Sequence, residues 1–358
     1  MNKTYYAWEY EEQTKMKHKV LIGYLDKYFS ILGKNNKLNY IDGFCGAGLY
    51  IDQSKQIHPG SPILAILDYE QIHKPKGTNI KFLFIDTNEK NLDNIKKYLE
   101  DKKVKTIPDY IVGDFDQIIN KILDNIPNLA PTFILIDPFG CKGVKIETIK
   151  KIMQRDKTEI VLNFMFTRIN EFLSAPNFKS VMKDYFGDCD LDLVAKLKGF
   201  EREKAIISLY RNQLKNYCGI KYVYPFPLEF PNQKRTYYYL FHLTNHYLGC
   251  SIMKSVFAAL NYNRLVYSGN RSLQSSLFEY SAIKNDEIED FLTKKFNNRS
   301  LSYIDLIKSE IDEIPYTESE LKKCLKIMEK NKLLLVKRVT SKTARGLQED
   351  DLLFFLKK

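Results

Sequence analysis

The hydrophobic pattern of the first two thirds of the chain alternates between short apolar runs and amphipathic segments. Five runs have the length and the β-branched or aromatic content of buried strands, at 37–42, 80–86, 110–114, 132–137 and 159–164. The intervals carry apolar residues at helical spacing, as at 88–97 and 115–123. A longer helical pattern, Trp8–Leu32, precedes the first strand and ends at Gly33. Continuous apolar strands that alternate with helices predict a parallel sheet covered on both faces.

A helical stretch and a strand pair follow the fifth run. Residues 169–217 have a helical pattern, and the strand-like runs 221–230 and 236–244 are separated by a short polar turn. A parallel sheet completed by an antiparallel hairpin resembles the class I S-adenosylmethionine (SAM) methyltransferases. We therefore expect an α/β, Rossmann-like domain over residues 1–262, with an N-terminal helix and a helical insert at 168–217.

The C-terminal part of the chain has a different rhythm. Residues 263–297 are polar at first and predict a connector, with a helix expected before them at 246–260. Beyond 298 come two helices, a strand, a basic turn and a second strand, at 302–313, 318–330, 333–339, 341–346 and 351–356. Thr317 and Glu320 form a capping box at the second helix. This order outlines a winged-helix domain over 298–358.

Charge and aromatic content add a candidate partner. Lys and Arg number 55 against 44 Asp and Glu, which gives a net charge of +11, and the chain has 24 Tyr and 22 Phe. Cations that release phosphate counterions and rings that stack on bases suit a nucleic acid, although an AT-rich genome produces the same composition. In the tail, the candidate phosphate contacts are Lys322, Lys323, Lys326, Lys342 and Arg345. A solvated face or a protein-docking surface is the alternative.

Several other classes of protein are disfavoured. No apolar segment reaches the roughly 18–20 residues of a membrane span, and no signal peptide is visible, so we expect a cytoplasmic protein without a membrane partner. The six cysteines form no CxxC pair, which predicts reduced thiols. His242, His246 and Cys250 are split between a predicted strand and a predicted helix, so no metal site is expected.

The first chemical motif follows the first strand. Asp42 ends the strand, and Gly43, Phe44, Gly46 and Gly48 follow in the order D-G-F-x-G-x-G. Glycines let the backbone turn tightly and approach a ligand closely. In methyltransferases such a loop surrounds the amino-acid end of SAM, and the alternative is a glycine-rich turn without a ligand.

Two further acidic positions end the next strands. Asp86 is a candidate for the ribose hydroxyls of SAM, or else a cap of the following helix. Asp114 is a candidate for the adenine amino group, with Phe115 beside the ring, and it too has a capping alternative. SAM is accordingly the expected cofactor, bound along the carboxyl ends of three strands.

The fourth strand ends in Asp137-Pro138-Phe139-Gly140. Amino-group methyltransferases carry D/N-P-P-Y/F at this position, where the acidic group and the Pro carbonyl accept hydrogen bonds from an exocyclic amino group and the aromatic ring stacks on the base. Phe139 replaces the second Pro, and this variant resembles the tRNA guanine-N2 dimethyltransferases. We therefore assign Asp137, Pro138 and Phe139 to the acceptor side, against the alternative of a strand-terminating turn.

Taken together, these motifs resemble the three-Cys-motif partner protein family (TcmP) from about residue 8 to the C-terminus. The matching segments are Trp8, Lys17-His18, 42–50, 60–62, 137–140, 162–164 and 237–240. Most relatives have a small residue in place of Cys45 and Pro in place of Ala47. The resemblance implies a methyltransferase-like protein encoded beside a radical-SAM-like partner that carries three cysteines, often in mobile or phage-related loci.

Two functional hypotheses follow. The first is a SAM-dependent methyltransferase that acts on an exocyclic amino group of DNA or RNA and works with the three-cysteine partner. The second is a non-catalytic nucleic-acid-binding adaptor of a mobile-element or phage-defence system that serves the partner enzyme. Asp137 discriminates between them, because only methyl transfer requires it.

Overall fold

The computed structural model describes residues 5–34, 36–230, 233, 235–261, 264–266, 277–339 and 346–356. Its α-helices are α1 (Glu12–Leu32), α2 (Ser61–Asp68), α3 (Glu89–Asp101), α4 (Phe115–Asn125), α5 (Ile146–Met153), α6 (Phe166–Phe172), α7 (Lys179–Phe186), α8 (Leu191–Lys196), α9 (Gly199–Asn212), α10 (Tyr247–Leu260), α11 (Leu277–Phe296), α12 (Tyr303–Glu310) and α13 (Glu318–Lys330). Its strands are β1 (Trp8–Glu9), β2 (Lys37–Asp42), β3 (Leu49–Ile51), β4 (Ile57–Pro59), β5 (Asn79–Asp86), β6 (Asp109–Val112), β7 (Thr132–Ile136), β8 (Glu159–Phe164), β9 (Tyr222–Glu229), β10 (Thr236–Thr244), β11 (Ser300–Ser302), β12 (Leu334–Lys337) and β13 (Leu352–Phe355).

Seven strands form the central sheet, in the order β6-β5-β2-β7-β8-β10-β9. The first five pair in parallel, whereas β10 lies antiparallel to both β8 and β9. Within this parallel set, β7 and β8 are buried at every position, because helices cover both faces of the sheet. This topology confirms the class I, Rossmann-like fold that the strand and hairpin pattern predicts.

The strand order reverses between β2 and β7. From β2 the chain proceeds outward through β5 and β6, and it then returns to the other side of β2 to form β7 and β8. In open α/β sheets, ligands bind at such a switch point, in the crevice outside the carboxyl ends of the strands. Asp42 ends β2 and Asp137 follows β7, so both candidate acids lie at this crevice.

The N-terminal segment differs from the helix predicted to begin at Trp8. Trp8–Glu9 is a strand that pairs in parallel with β3, and α1 begins at Glu12, close to Met16, where the apolar helical spacing starts. Between the glycine loop that follows β2 and the start of α2, β3 and β4 form an antiparallel ribbon. The cap residue of α2 is Gly60, which has an extended conformation and donates its N–H to the Gly48 carbonyl at 2.7 Å.

The tail also departs from its prediction. The predicted connector 263–297 contains α11, which buries Ile288, Leu292 and Phe296 at helical spacing. Beyond it, β11, β13 and β12 form an antiparallel sheet in that order. The capping box of α13 is present as predicted, with Thr317 as the cap residue. The apolar side of α13 packs on α11, α10 and β12.

The tail shares a continuous apolar core with one face of the central sheet. Tail residues such as Leu306 and Leu325 belong to the same buried cluster as Val20 of α1 and Met253 of α10. Lys254 of α10 is fully buried and donates to the carbonyls of residues 311 and 314 at 2.7 Å each. The other face of the sheet has its own cluster beneath α4 to α9. None of the described helices is both long and apolar enough to cross a membrane.

Candidate functional site

The glycine loop after β2 has the tight geometry that its sequence predicts. Gly46 and Gly48 have φ angles of +55° and +68°, in the left-handed region where a side chain is strained. A Cβ on Gly46 would lie 2.2 Å from the ring of Trp8, so the loop backbone is in close contact with that ring. The Gly46 N–H donates to Asp86 Oδ2 at 2.8 Å, which ties the loop to the end of β5.

Asp42 is fully buried beneath this loop. The Tyr40 hydroxyl donates to its Oδ2 at 3.3 Å, and its Oδ1 has no hydrogen-bond partner among the described residues. Burial raises the pKa of Asp42 to about 7, the charge of Asp137 adds to this, and Ser61 and Lys17 oppose it. A buried acceptor oxygen without a donor fits the ammonium group of an amino-acid ligand such as the methionine part of SAM.

Asp86 holds the loop and the start of α3 together. Its Oδ1 accepts from the Asn88 backbone N–H at 2.8 Å and from Asn91 Nδ2 at 3.1 Å, and its Oδ2 accepts from Gly46. The helix cap itself is Asn88, not Asp86. Through these bonds, Asp86 accepts hydrogen bonds that hold the glycine loop beside the crevice at the carboxyl ends of the strands. A contact between Asp86 and a ribose stays a prediction.

Asp114 and Phe115 lie at the start of α4, beside the glycine loop. Asp114 caps α4 by accepting from the Gln117 N–H at 3.1 Å, so the capping interpretation is confirmed. Phe115 is 1 % exposed, and a Cβ on Gly43 would lie 2.5 Å from its ring. The half-buried ring of Phe44 lies 5.3 Å from the Phe115 ring between centroids, and a Cβ on Gly143 would lie 3.5 Å from Phe44. A role for Asp114 or Phe115 toward adenine stays a prediction.

Asp137 is held by two side chains from other elements. Asn163 Nδ2, on β8, donates to Asp137 Oδ1 at 2.6 Å, and the ammonium of Lys17, on α1, forms an ion pair with Oδ2. The Lys17 side chain is 7 % exposed and that of Asp137 is 17 % exposed. Pro138 is buried, whereas Phe139 is 78 % exposed, so the motif presents one ring to solvent.

The sequence motifs do not assign Lys17 or Asn163 a role at the site. The signal for Lys17 is its position among the mainly apolar buried residues of α1, one residue after Met16. Its ammonium also lies 6.0 Å from the ring of Tyr238, which is buried on β10. Next to it, burial and the charge of Lys17 lower the pKa of His18 to about 3, so His18 is neutral.

The residues predicted to contact nucleic acid are only partly described. Lys323 and Lys326 are exposed on α13, and Lys322 is half-buried with its ammonium 5.1 Å from the Tyr303 ring. Lys342 and Arg345 lie outside the described residues. The buried side of α13, with Leu321, Leu325 and Met328, leaves the lysine side to solvent.

The cysteines are free thiols, and five of the six are buried. His242 contacts Glu159 at 3.2 Å rather than a cysteine. Within the described part of the chain, no group of His, Cys, Asp and Glu side chains could hold a metal ion.

No protein-family model matches the chain, and no curated protein matches it by sequence. Among solved structures, the chain is similar to a Legionella pneumophila protein of the family DUF519, at 13% identity and a TM-score of 0.43 over 69% of this chain and 90% of that one. It is also similar to an rRNA methylase from Streptococcus thermophilus, at 12% identity and a TM-score of 0.33 over 64% and 93% of the two chains. A Streptococcus mutans protein described as a methyltransferase, solved in complex with SAH, matches at 15% identity and a TM-score of 0.32 over 65% and 98%.

These likenesses concern the fold, and no residue role is transferred from them. The fold assignment rests on the strand order of the central sheet. Membership of the three-Cys-motif partner family stays a prediction from the motifs.

Proposed function

We propose that this protein transfers a methyl group from SAM to an exocyclic amino group of a nucleic acid. The observation that carries the proposal is the juxtaposition of Asp42 and Asp137 at the switch point, at the carboxyl ends of the neighbouring strands β2 and β7. Asp42 Oδ1 is a buried acceptor without a described donor, and it lies under a loop with two left-handed glycines. SAM bound there would supply an electrophilic methyl group.

On the donor side, Asp42 would accept from the ammonium group of the methionine part. The backbone of Gly46 and Gly48 would allow close approach, because any side chain there would be strained. Asp86 keeps this loop in place through the Gly46 N–H, and its Oδ2 retains a lone pair that would accept from a ribose hydroxyl. Asp114 and Phe115 would border the adenine.

On the acceptor side, Asp137 would accept a hydrogen bond from the amino group and orient the nitrogen lone pair. A neutral amine needs positioning more than deprotonation, so no strong base is required. Lys17 and Asn163 fix the Asp137 carboxylate from two sides, and each carboxylate oxygen retains a lone pair for the acceptor. Phe139 presents its exposed ring for stacking on the base.

The cofactor part is tested by titrating SAH calorimetrically at several pH values. Ionised Asp42 is the form that attracts an ammonium group, and its pKa is about 7. We expect SAH affinity to rise roughly tenfold from pH 6 to pH 8, following the ionised fraction. Because the folded-state pKa lies above the ordinary value, ionisation destabilises the ligand-free fold, so its stability should fall as the pH rises from about 4 to about 7 and stay level above that.

The control for this titration is Asp42→Asn, which keeps the size of the side chain. It should bind SAH more weakly at pH 8 and lose most of the pH dependence. If the wild-type protein binds no SAH, the assignment of Asp42 is contradicted. It is also contradicted if the SAH affinity of the wild type does not change with pH and equals that of Asp42→Asn.

The second candidate function is a nucleic-acid-binding adaptor that serves a three-cysteine partner protein. It is supported by the exposed Lys323 and Lys326 and by the order of tail elements α11, β11, α12, α13, β12 and β13, which fits a winged helix. The partner itself is proposed from the family resemblance alone. Both functions require that the exposed lysine side of α13 binds nucleic acid, so one binding experiment tests this requirement for both.

We expect Lys323→Gln with Lys326→Gln to weaken nucleic-acid binding and to flatten its salt dependence. For every duplex phosphate that the variant no longer neutralises, the slope of log K against log salt concentration should fall by about 0.9. The matched control is Lys103→Gln with Lys105→Gln, which removes two exposed charges between α3 and β6. An equal effect of both pairs would show that only the net charge of the protein matters. No effect of either pair would contradict nucleic-acid contact by α13 and leave its lysine side as a solvated face or a protein-docking surface.

A further inference from the structure

The segment 5–10 is tied across the glycine loop. Trp8 pairs with Tyr50 of β3, and the Tyr10 N–H donates to the carbonyl of residue 51 at 2.9 Å. Asn94 of α3 donates both to the Tyr6 carbonyl at 2.9 Å and to the Ala47 carbonyl at 2.7 Å. This N-terminal strap, residues 5–10, is therefore fixed to the loop that would hold the methyl donor.

The strap places the ring of Trp8 between the two halves of the site. On one side, the ring contacts Gly46, where an added Cβ would lie 2.2 Å from it. On the other side, it meets the Phe139 ring at a centroid distance of 4.8 Å and an interplanar angle of 75°. The Trp8 Nε1–H donates to the Tyr6 hydroxyl at 3.1 Å, which fixes the ring plane.

Apart from Trp8, few contacts restrain the Phe139 ring among the described residues. It is 78 % exposed, and it lies in a loop where Gly140 and left-handed Gly143 follow. Of the aromatic rings that the structure describes, only that of Trp8 lies against it. Edge-to-face contacts of this kind favour one ring orientation over others.

We infer that Trp8 is a positioning residue: it orients Phe139 for stacking on a planar acceptor base and links that orientation to the glycine loop. The inference rests on the proposed function. The Trp8 contact occupies one part of the Phe139 ring, and the large exposed remainder is the surface open to an acceptor. The chain thus uses a residue from its N-terminal strap to complete the acceptor side.

Orientation is tested with 4-fluorophenylalanine incorporated at position 139 and observed by fluorine NMR. The ring current of Trp8 should shift this resonance in the wild-type background. Trp8→Leu should move it toward the position of a solvent-exposed ring, and Trp8→Phe should restore part of the shift. The same label at position 200, which is 74 % exposed on α9, should not respond to either variant.

Function is tested with tritiated SAM and, as acceptor probe, total cellular RNA and DNA. We expect Trp8→Leu to lower transfer at subsaturating nucleic acid by about three- to tenfold, with the KM for SAM changed less than about twofold. Trp8→Phe should recover most of the rate. If Trp8→Leu leaves the fluorine resonance unchanged, or leaves the rate of methyl transfer unchanged, the inference is overturned.

The proposed function and the positioning role of Trp8 fail separately. Wild-type protein that binds no SAH and transfers no methyl group would remove the proposed function and, with it, the acceptor role of Phe139. The fluorine measurement on the ligand-free protein judges the coupling of Trp8 to Phe139 independently. A shift that responds to Trp8 but transfer that does not would reduce Trp8 to a packing residue.

Discussion

Asp137→Ala is expected to abolish methyl transfer while SAH affinity stays within about twofold of wild type. The carboxylate is the proposed acceptor for the amino hydrogen, and removing one preorganised polar group at a reacting centre costs about 100- to 1,000-fold in rate. SAH should still bind, because Asp42 and the glycine loop lie on β2 and keep their own contacts. The measurements are transfer of tritiated methyl groups and calorimetric SAH titration.

The control must separate chemistry from folding, since Lys17 is nearly buried and has no counterion in Asp137→Ala. Leaving a buried charge without a partner costs about 3–5 kcal/mol of stability. The double variant Asp137→Ala with Lys17→Met removes both charges and should recover much of that stability. It should recover none of the activity. If the double variant regains transfer, Asp137 matters only because it neutralises Lys17.

Residual transfer above about a tenth of the wild-type rate in a folded Asp137→Ala protein would contradict the acceptor role. Loss of SAH binding in parallel with transfer would instead mark Asp137 as part of the donor site. Asp137 raises the pKa of Asp42, so a small shift in the pH dependence of SAH binding is expected and is no objection.

The parts of the site that the sequence predicts are those where a strand ends in a local motif. Asp42 and Asp137 follow apolar runs whose order along the chain already places them side by side in a class I sheet. The positive φ angles of Gly46 and Gly48 follow from the same local pattern. The sequence around Asp114 fits both a contact with adenine and a cap of the following helix. The hydrogen bond from the Gln117 N–H identifies Asp114 as the helix cap.

The parts that the sequence does not predict depend on long-range contacts. Lys17 pairs with an acid 120 positions later, and no local pattern indicates this. Trp8 lies on an apolar-looking segment that forms a strand only because β3 is available beside it. Among the α11 side chains that the structure describes, the narrow apolar stripe of Ile288, Leu292 and Phe296 meets the core, and the polar residues that precede it make the sequence predict a connector.

The second large effect is expected at the junction between the tail and the sheet domain. Asp312, 3 % exposed at its side chain, accepts from Arg211 at 3.0 Å, from Lys215 at 2.8 Å and from the Val223 N–H at 3.1 Å. Asp312→Ala should destabilise the fold by about 3 kcal/mol, the lower end for breaking a buried ion pair, because both cations keep Glu313. Urea unfolding followed by circular dichroism measures this.

The neighbouring Glu313 is the matched control, because it contacts the same two cations from a more exposed position. Burial alone would raise the pKa of Glu313, but hydrogen bonds from Arg211 and Lys215 hold it at about 2. Its side chain is 39 % exposed, so solvent screens these contacts, and Glu313→Ala should cost about 0–1 kcal/mol. Equal costs for the two variants would show that Val223 and burial contribute nothing to the role of Asp312.

The same measurement decides how the tail folds. The sequence predicts that 298–358 folds as a separate domain. In the structure, the tail shares its apolar core with α1 and α10, and the carbonyl of residue 311 accepts a hydrogen bond from the buried ammonium of Lys254. If the tail and sheet unfold together, Asp312→Ala shifts a single transition to lower urea concentration. If the tail folds alone, the variant should split the curve into two transitions, because only the docking of two stable units is weakened. The shared core favours the single transition, since neither unit buries its apolar surface without the other.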